Sequence, residues 1–262
     1  MKITHLSYLI LSTLVLLTAC TSQKKLAYLG NLPEPDGKET FRTVLPDYKL
    51  QPRDILFVTA KALTTEGRIE DFIQSSSGGG IVQSGGEGGG YMYGYDVNIE
   101  GFVRIPVIGL VKVGGLTMDE TRKVIQEAVD KVFKNTTVEC KLMSFKYTVI
   151  GEVKAPGSYM NYNNYLTVFE AIGRAGGIDE YGKRDRVLVV RSSEKGTQTY
   201  RLNLQDKEIL NSEAYFLQPN DVVIIEPQKQ KVFNLNLPTI SFIISSVTST
   251  ITMTLLLINY LK

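Results

Sequence analysis

"LQPRDILFV", Leu50 to Val58, returns near the far end of the chain as "LQPNDVVII", Leu217 to Ile225. Both read Leu-Gln-Pro-x-Asp and then run into an apolar strand. One turn device used twice accounts for the echo. Pro52 or Pro219 presets the bend, and Asp54 or Asp221 bonds nearby backbone N–H groups before the strand enters a core. These four residues are therefore read as structural. The first copy opens one folded unit and the second closes another.

The first unit is placed at residues 47–145. After the strand Ile55 to Thr59 comes "QSSSGGGIVQSGGEGGGYMYGY", Gln74 to Tyr95, a Gly/Ser-rich loop of low complexity. It lacks the Gly-Lys-Ser/Thr ending of a phosphate-binding loop. Val97 to Val113 holds short strands broken at Gly101, Pro106 and Gly109. Thr117 and Glu120 then have capping-box spacing. Val124, Ala128, Val129, Val132 and Phe133 give the helix that follows an apolar face. The strand "TTVECKLMSF" completes the unit.

The second unit is placed at residues 146–228. Its strand "YTVIG" leads to "APGSY", a turn in which Pro156 sets φ and Gly157 supplies a positive φ. Thr167 and Glu170 form another capping box, "VFEAIGRA" is the helix, and Gly176-Gly177 its C-cap. "DRVLVVRSS" and "QTYRLNL" are strands. One helix over a small mixed sheet makes the fold class α+β, β-grasp-like in the second unit.

Composition narrows the chemistry. The 262 residues carry a formal charge of +2, with no basic field to draw nucleic acid. The sole histidine, His5, lies in the opening segment, so a mature chain has no His-based nucleophile system and few routes to a zinc site. Neither a cofactor nor a metal is expected, and no catalytic residue is assigned. Asp179-Glu180 follows a Gly-Gly cap in a turn and reads as solvent-facing. Of the two cysteines, Cys140 sits in a strand and reads as a small buried residue.

Both ends are apolar. "MKITHLSYLILSTLVLLTAC" has a short apolar run, Leu9 to Leu17, suited to a secretory signal over residues 1–19. Leu17-Thr18-Ala19-Cys20 resembles the bacterial lipobox, which implies lipidation of Cys20 and stable anchoring by several acyl chains. Thr21 and Ser22 follow it where an inner-membrane lipoprotein often carries Asp, so the outer membrane is the expected address. Residues 20–46 read as a polar tether.

The last segment, 232–262, is read as a membrane helix. Pro238 to Leu261 is 24 residues, roughly 36 Å as a helix. At 100° per residue, Ile240, Ile244, Val247, Ile251, Leu255 and Ile258 form an apolar stripe for lipid. Ser241, Ser245, Thr248, Ser249, Thr252 and Asn259 cluster opposite, as for a pore lining. Two alternatives stay open: a plain anchor whose hydroxyls bond their own backbone, and a β-strand with alternating threonines.

"YKLQPRDILFV" and "GFVRIPVIGLVKVGGLTMDE" resemble the periplasmic polysaccharide export domain, with its Tyr-x-Leu-x-Pro-Gly-Asp opening. "VIGEVKAPGSY", "LTVFEAIGRAGGI" and "LQPNDVVII" resemble the soluble-ligand-binding β-grasp (SLBB) domain. With the lipobox, the chain is similar to outer-membrane polysaccharide export lipoproteins of the Wza type. The resemblance implies a non-catalytic ring of eight copies whose C-terminal helices form an outer-membrane pore. It implies a capsular or exopolysaccharide substrate, an inner-membrane polysaccharide copolymerase as partner, and contact with outer-membrane lipid. Arg53 and Asn220 stand where the family has Gly. The other readings are an anchored adaptor or glycan-binding lipoprotein without a pore, and an enzyme acting on glycans.

Overall fold

The structure, a computed structural model, describes residues 27–32, 40–41, 45, 47–63, 67–73, 94–193 and 196–261. Cys20 and the Gly-rich stretch up to residue 93 lie outside the described residues.

The two Leu-Gln-Pro-x-Asp turns are built alike. Asp54 N–H donates to Gln51 O and Asp221 N–H to Gln218 O, both at 3.1 Å. Proline takes the second position of each turn. The third, Arg53 or Asn220, is left-handed, at φ 75° or 68°. That is a type II turn, which favours glycine at its third position. Arg and Asn are held there by strand-like bonds on both sides. Arg53 N–H donates to Val97 O and Val97 N–H to Asp54 O, both at 2.8 Å. Asn220 N–H donates to Lys146 O at 2.6 Å and Thr148 N–H to Asp221 O at 3.0 Å.

In the first domain the turn feeds β1 (Ile55–Leu63). Along one edge β1 pairs antiparallel with β6 (Thr137–Leu142), from Leu56 opposite Leu142 to Lys61 opposite Thr137. At its two ends it pairs with β2 (Ile69–Asp71) and β3 (Tyr95–Asp96). β4 (Phe102–Ile105) and β5 (Gly109–Lys112) form a separate hairpin. Helix α1 (Met118–Asp130) starts with both bonds of the Thr117–Glu120 capping box and packs on β6. It buries Thr121, Ile125 and Val129, one residue per turn. The expected apolar face is corrected there: Ile125 is its centre, while Val132, beyond the helix end, is 49% exposed. Leu56, Val58, Val103, Ile105, Ile125 and Val138 form the core.

The second domain is a five-stranded mixed sheet in the order β10-β9-β11-β7-β8. Its strands are β7 (Lys146–Gly151), β8 (Gly157–Met160), β9 (Gly182–Ser193), β10 (Gly196–Leu202) and β11 (Val222–Pro227). Only β11 and β7, the last and first strands, run parallel. Helix α2 (Val168–Arg174) follows the Thr167–Glu170 capping box. It ends in a Schellman motif, with Gly177 N–H donating to Ile172 O and Gly176 N–H to Gly173 O. Tyr147, Leu166, Ile172, Val187, Val189 and Ile225 fill the core.

One turn differs from expectation. Gly157 has no positive φ; it already pairs with Val149 as the first residue of β8. The special backbone lies at Gly151, at φ 93°, where an added Cβ would clash with the Ile225 carbonyl. The chain leaves the sheet there, not at "APGSY", because β11 comes alongside at that point.

Arg53→Gly relieves a left-handed residue costing about 1–2 kcal/mol, against roughly 0.4–1 kcal/mol of added unfolded-state entropy. Chemical denaturation is therefore expected to show a small gain in stability for Arg53→Gly. Asn220→Gly should gain less, because Asn tolerates this region better.

Candidate functional site

The two turns converge on the junction between domains. Only residues 143–145 separate β6 from β7. From one side, Met143 N–H donates to Ile55 O, and Ser144 Oγ donates to Asp54 Oδ1 at 2.9 Å. From the other, the Asn220-Asp221 backbone brackets Lys146 and Thr148. Phe145 is buried in the second core, and Leu142 touches both.

Each buried aspartate collects donors. Asp54 Oδ2 accepts from Gln51 N–H at 2.9 Å and from the Tyr48 hydroxyl at 2.8 Å. Burial and the Asp54 carboxylate both push the Tyr48 phenol up, so it stays protonated and keeps donating. Asp221, with no exposed surface, accepts from Gln218 N–H at 2.8 Å. It also takes Arg191 Nη2 at 2.8 Å and Nε at 3.0 Å. Arg191 Nη2 donates in addition to Phe216 O. Arg191 gave no sequence signal, since it lies 30 residues from its partner on β9. Tyr48 was visible only as the first position of the Tyr-x-Leu-x-Pro pattern.

The tether reading is corrected for residues 27–32, which dock on the second domain. Leu29 N–H donates to Leu204 O at 3.0 Å and Gly30 N–H to Gln205 O at 2.7 Å. Asn31 exchanges side-chain bonds with Asp206 and Lys207. The Tyr28 ring meets Phe169 edge-on, and Arg184 lies over it.

The C-terminal helix, α3 (Lys229–Tyr260), begins nine residues before Pro238 and contains it. Only Gln228 separates it from β11. Its root is clamped: Gln228 N–H donates to Tyr181 O, and its side chain to Gly182 O. Lys231 Nζ reaches both oxygens of Glu152 at 2.7 and 2.8 Å, and Asn234 donates to the Tyr181 hydroxyl. Beyond the root no part of the apolar window is buried, and the helix is long and apolar enough to cross a membrane.

Both stripes read from the sequence lie on this one helix. Ser241, Ser245, Thr248, Ser249 and Thr252 are exposed, as are Ile244, Val247, Ile251 and Ile258, while Ile240 is half-buried. The side chains of Leu255 and Asn259 lie outside the described residues. The hydroxyls of Ser241, Ser245, Ser246, Thr248, Thr250, Thr252 and Thr254 donate to carbonyls three or four residues back. Within one chain Ser241, Ser245, Thr248 and Thr252 of the stripe are thus satisfied without a wet lumen.

Burial pushes the Cys140 thiol up to about 12, so at neutral pH it is protonated and a poor nucleophile. The Asp179 carboxylate accepts from Glu180 N–H, a local turn bond.

Two α+β domains are thus joined through paired aspartate turns, with a long apolar helix rooted in the second. Residues 42–143 match the family described as polysaccharide biosynthesis/export protein, and residues 145–225 match the SLBB domain. The EPS I polysaccharide export outer membrane protein EpsA of Ralstonia solanacearum is 30% identical over 145 residues, and so is that of Ralstonia nicotianae. The match covers 53% of this chain and 38% of theirs. Over both domains the chain is thus similar to polysaccharide export proteins of the Wza type.

The clamps can be tested one by one. Arg191→Ala leaves a buried unpaired carboxylate and should cost about 3–5 kcal/mol in urea unfolding. Tyr48→Phe removes one donor of several to Asp54 and should cost only about 1–3 kcal/mol. Lys231→Ala should lower stability by about 1 kcal/mol or less, because the pair is partly solvated. A nitroxide at Lys229 should nevertheless gain mobility in that variant's electron paramagnetic resonance spectrum.

Proposed function

We propose that the chain is a non-catalytic subunit of an outer-membrane conduit exporting capsular or exopolysaccharide. The observation that carries this reading is the direct passage from the SLBB domain into α3. A helix clamped at its root with no linker is suited to a fixed place in an assembly, which a simple anchor does not need. In this reading several copies form a ring, eight by family analogy. The helices cross the outer membrane, and an inner-membrane copolymerase feeds the polymer. The relatives' role in polysaccharide export supports the substrate class.

Lipidated Cys20 would sit seven residues before Ala27. Seven extended residues reach roughly 25 Å. The docked segment 27–32 and the root of α3 both belong to the second domain, so lipid and helix would enter the same membrane beside that domain. Ser241, Ser245, Thr248, Ser249, Thr252 and Asn259 would face the lumen. Ile240, Ile244, Val247, Ile251, Leu255 and Ile258 would face lipid.

The second reading, an anchored adaptor without a pore, is favoured by the hydroxyls bonding their own backbone. Cysteine scanning separates the two. A conduit predicts that water-soluble thiol reagents label positions 245, 248 and 252 and spare 244 and 251, and that negative-stain images of detergent-extracted protein show rings. Monomers with uniform protection along α3 would establish the adaptor.

A further inference from the structure

Four consecutive residues, Tyr162, Asn163, Asn164 and Tyr165, stand out between buried Asn161 and buried Leu166. The two tyrosines are 67% and 53% exposed, although such rings usually bury most of their surface. The loop is nonetheless braced from beneath. The Asn161 amide, 1% exposed, donates to Asn163 O at 2.8 Å and to Tyr165 O at 3.4 Å. Its Oδ1 accepts from Arg174 Nη2 at 3.3 Å, while Arg174 Nη1 holds Met160 O. Asn161 N–H donates to Phe145 O at the domain junction. The Tyr165 ring meets Phe216 edge-on at 6.1 Å.

What this braced loop offers outward is unused among the described residues. Neither the Asn163 and Asn164 amides nor the Tyr162 and Tyr165 hydroxyls have a protein hydrogen-bond partner among the described residues. Asn164 also lines a cleft of about 780 Å³ whose other wall is α1 and β6. That volume lies in the range of ligand sites. In the cleft Arg122 is engaged by Asp119 and Glu139 by Lys61, whereas Lys123 and Lys141 make no ion pair among the described residues.

We infer that the Tyr162–Tyr165 loop and the adjoining cleft form a saccharide-binding site. A pyranose presents a C–H face, which stacks on an aromatic ring, and a rim of hydroxyls that pair with amides. Exposed tyrosines beside asparagines with unused side-chain amides match both. The unpaired Lys123 and Lys141 accommodate carboxylated sugars. This inference rests on the polysaccharide export reading and names where a chain of that polymer touches the subunit.

The probe is oligosaccharide cut from the producing cell's own extracellular polysaccharide, titrated calorimetrically into intact detergent-extracted protein. Saturable binding is expected. Tyr162→Ala with Tyr165→Ala should weaken it roughly tenfold or more, whereas Tyr162→Phe with Tyr165→Phe, which keeps the stacking faces, should retain most of it. Thermal unfolding and negative-stain images check that the variants fold and assemble like the parent. Absence of binding, or equal binding by the double alanine variant, overturns the site. Intact rings alongside that result leave the conduit reading standing. Binding by a protein that never forms rings would instead sink the conduit and keep the site.

Discussion

A carboxylate taken out of water must be met by donors or it destabilises the fold around it. Asp54 and Asp221 meet that demand in different ways, and the architecture follows from the difference. Asp54 gathers a backbone N–H, a phenol and the Ser144 hydroxyl, which ties the first domain to the junction. Asp221 gathers a backbone N–H and an arginine fork from β9, which ties the last turn to the middle of the second sheet. The same five-residue phrase thus ties the interdomain junction in one place and a sheet in the other.

Residues 27–32 and the long apolar helix are also gathered on one domain. Residues 27–32 bond to the segment after β10, and α3 grows out of β11. The first domain's connection to either end runs through the second domain or through the residues before Tyr48. Force applied to α3 would therefore reach the first domain through the junction at residues 143–145.

The sequence made some of this legible and hid the rest for physical reasons. Capping boxes at Thr117 and Thr167, and the Gly176-Gly177 cap, are local patterns, and each appears where its spacing placed it. The repeated turn was legible for the same reason, down to Asp accepting from a nearby backbone N–H, which the structure identifies as that of Gln51 or Gln218. Arg191, Glu152 and Tyr181 were not, because their partners lie 30, 79 and 53 residues away. The positive φ expected at Gly157 fell at Gly151, since the demand comes from a neighbouring strand and not from the turn's own residues. The apolar and hydroxyl stripes of α3 are legible as periodicity alone; an isolated helix has no environment to rank its faces.

Absence of a linker between β11 and α3 has a mechanical meaning. The 32-residue helix is roughly 48 Å long. Held at Gln228, Lys231 and Asn234, it behaves as a lever whose fulcrum is the edge of the second domain. A rocking of that domain by a few degrees would swing the far tip by several ångströms. Pro238, seven residues past Lys231, removes one backbone hydrogen bond and supplies the joint at which that swing could be absorbed or redirected.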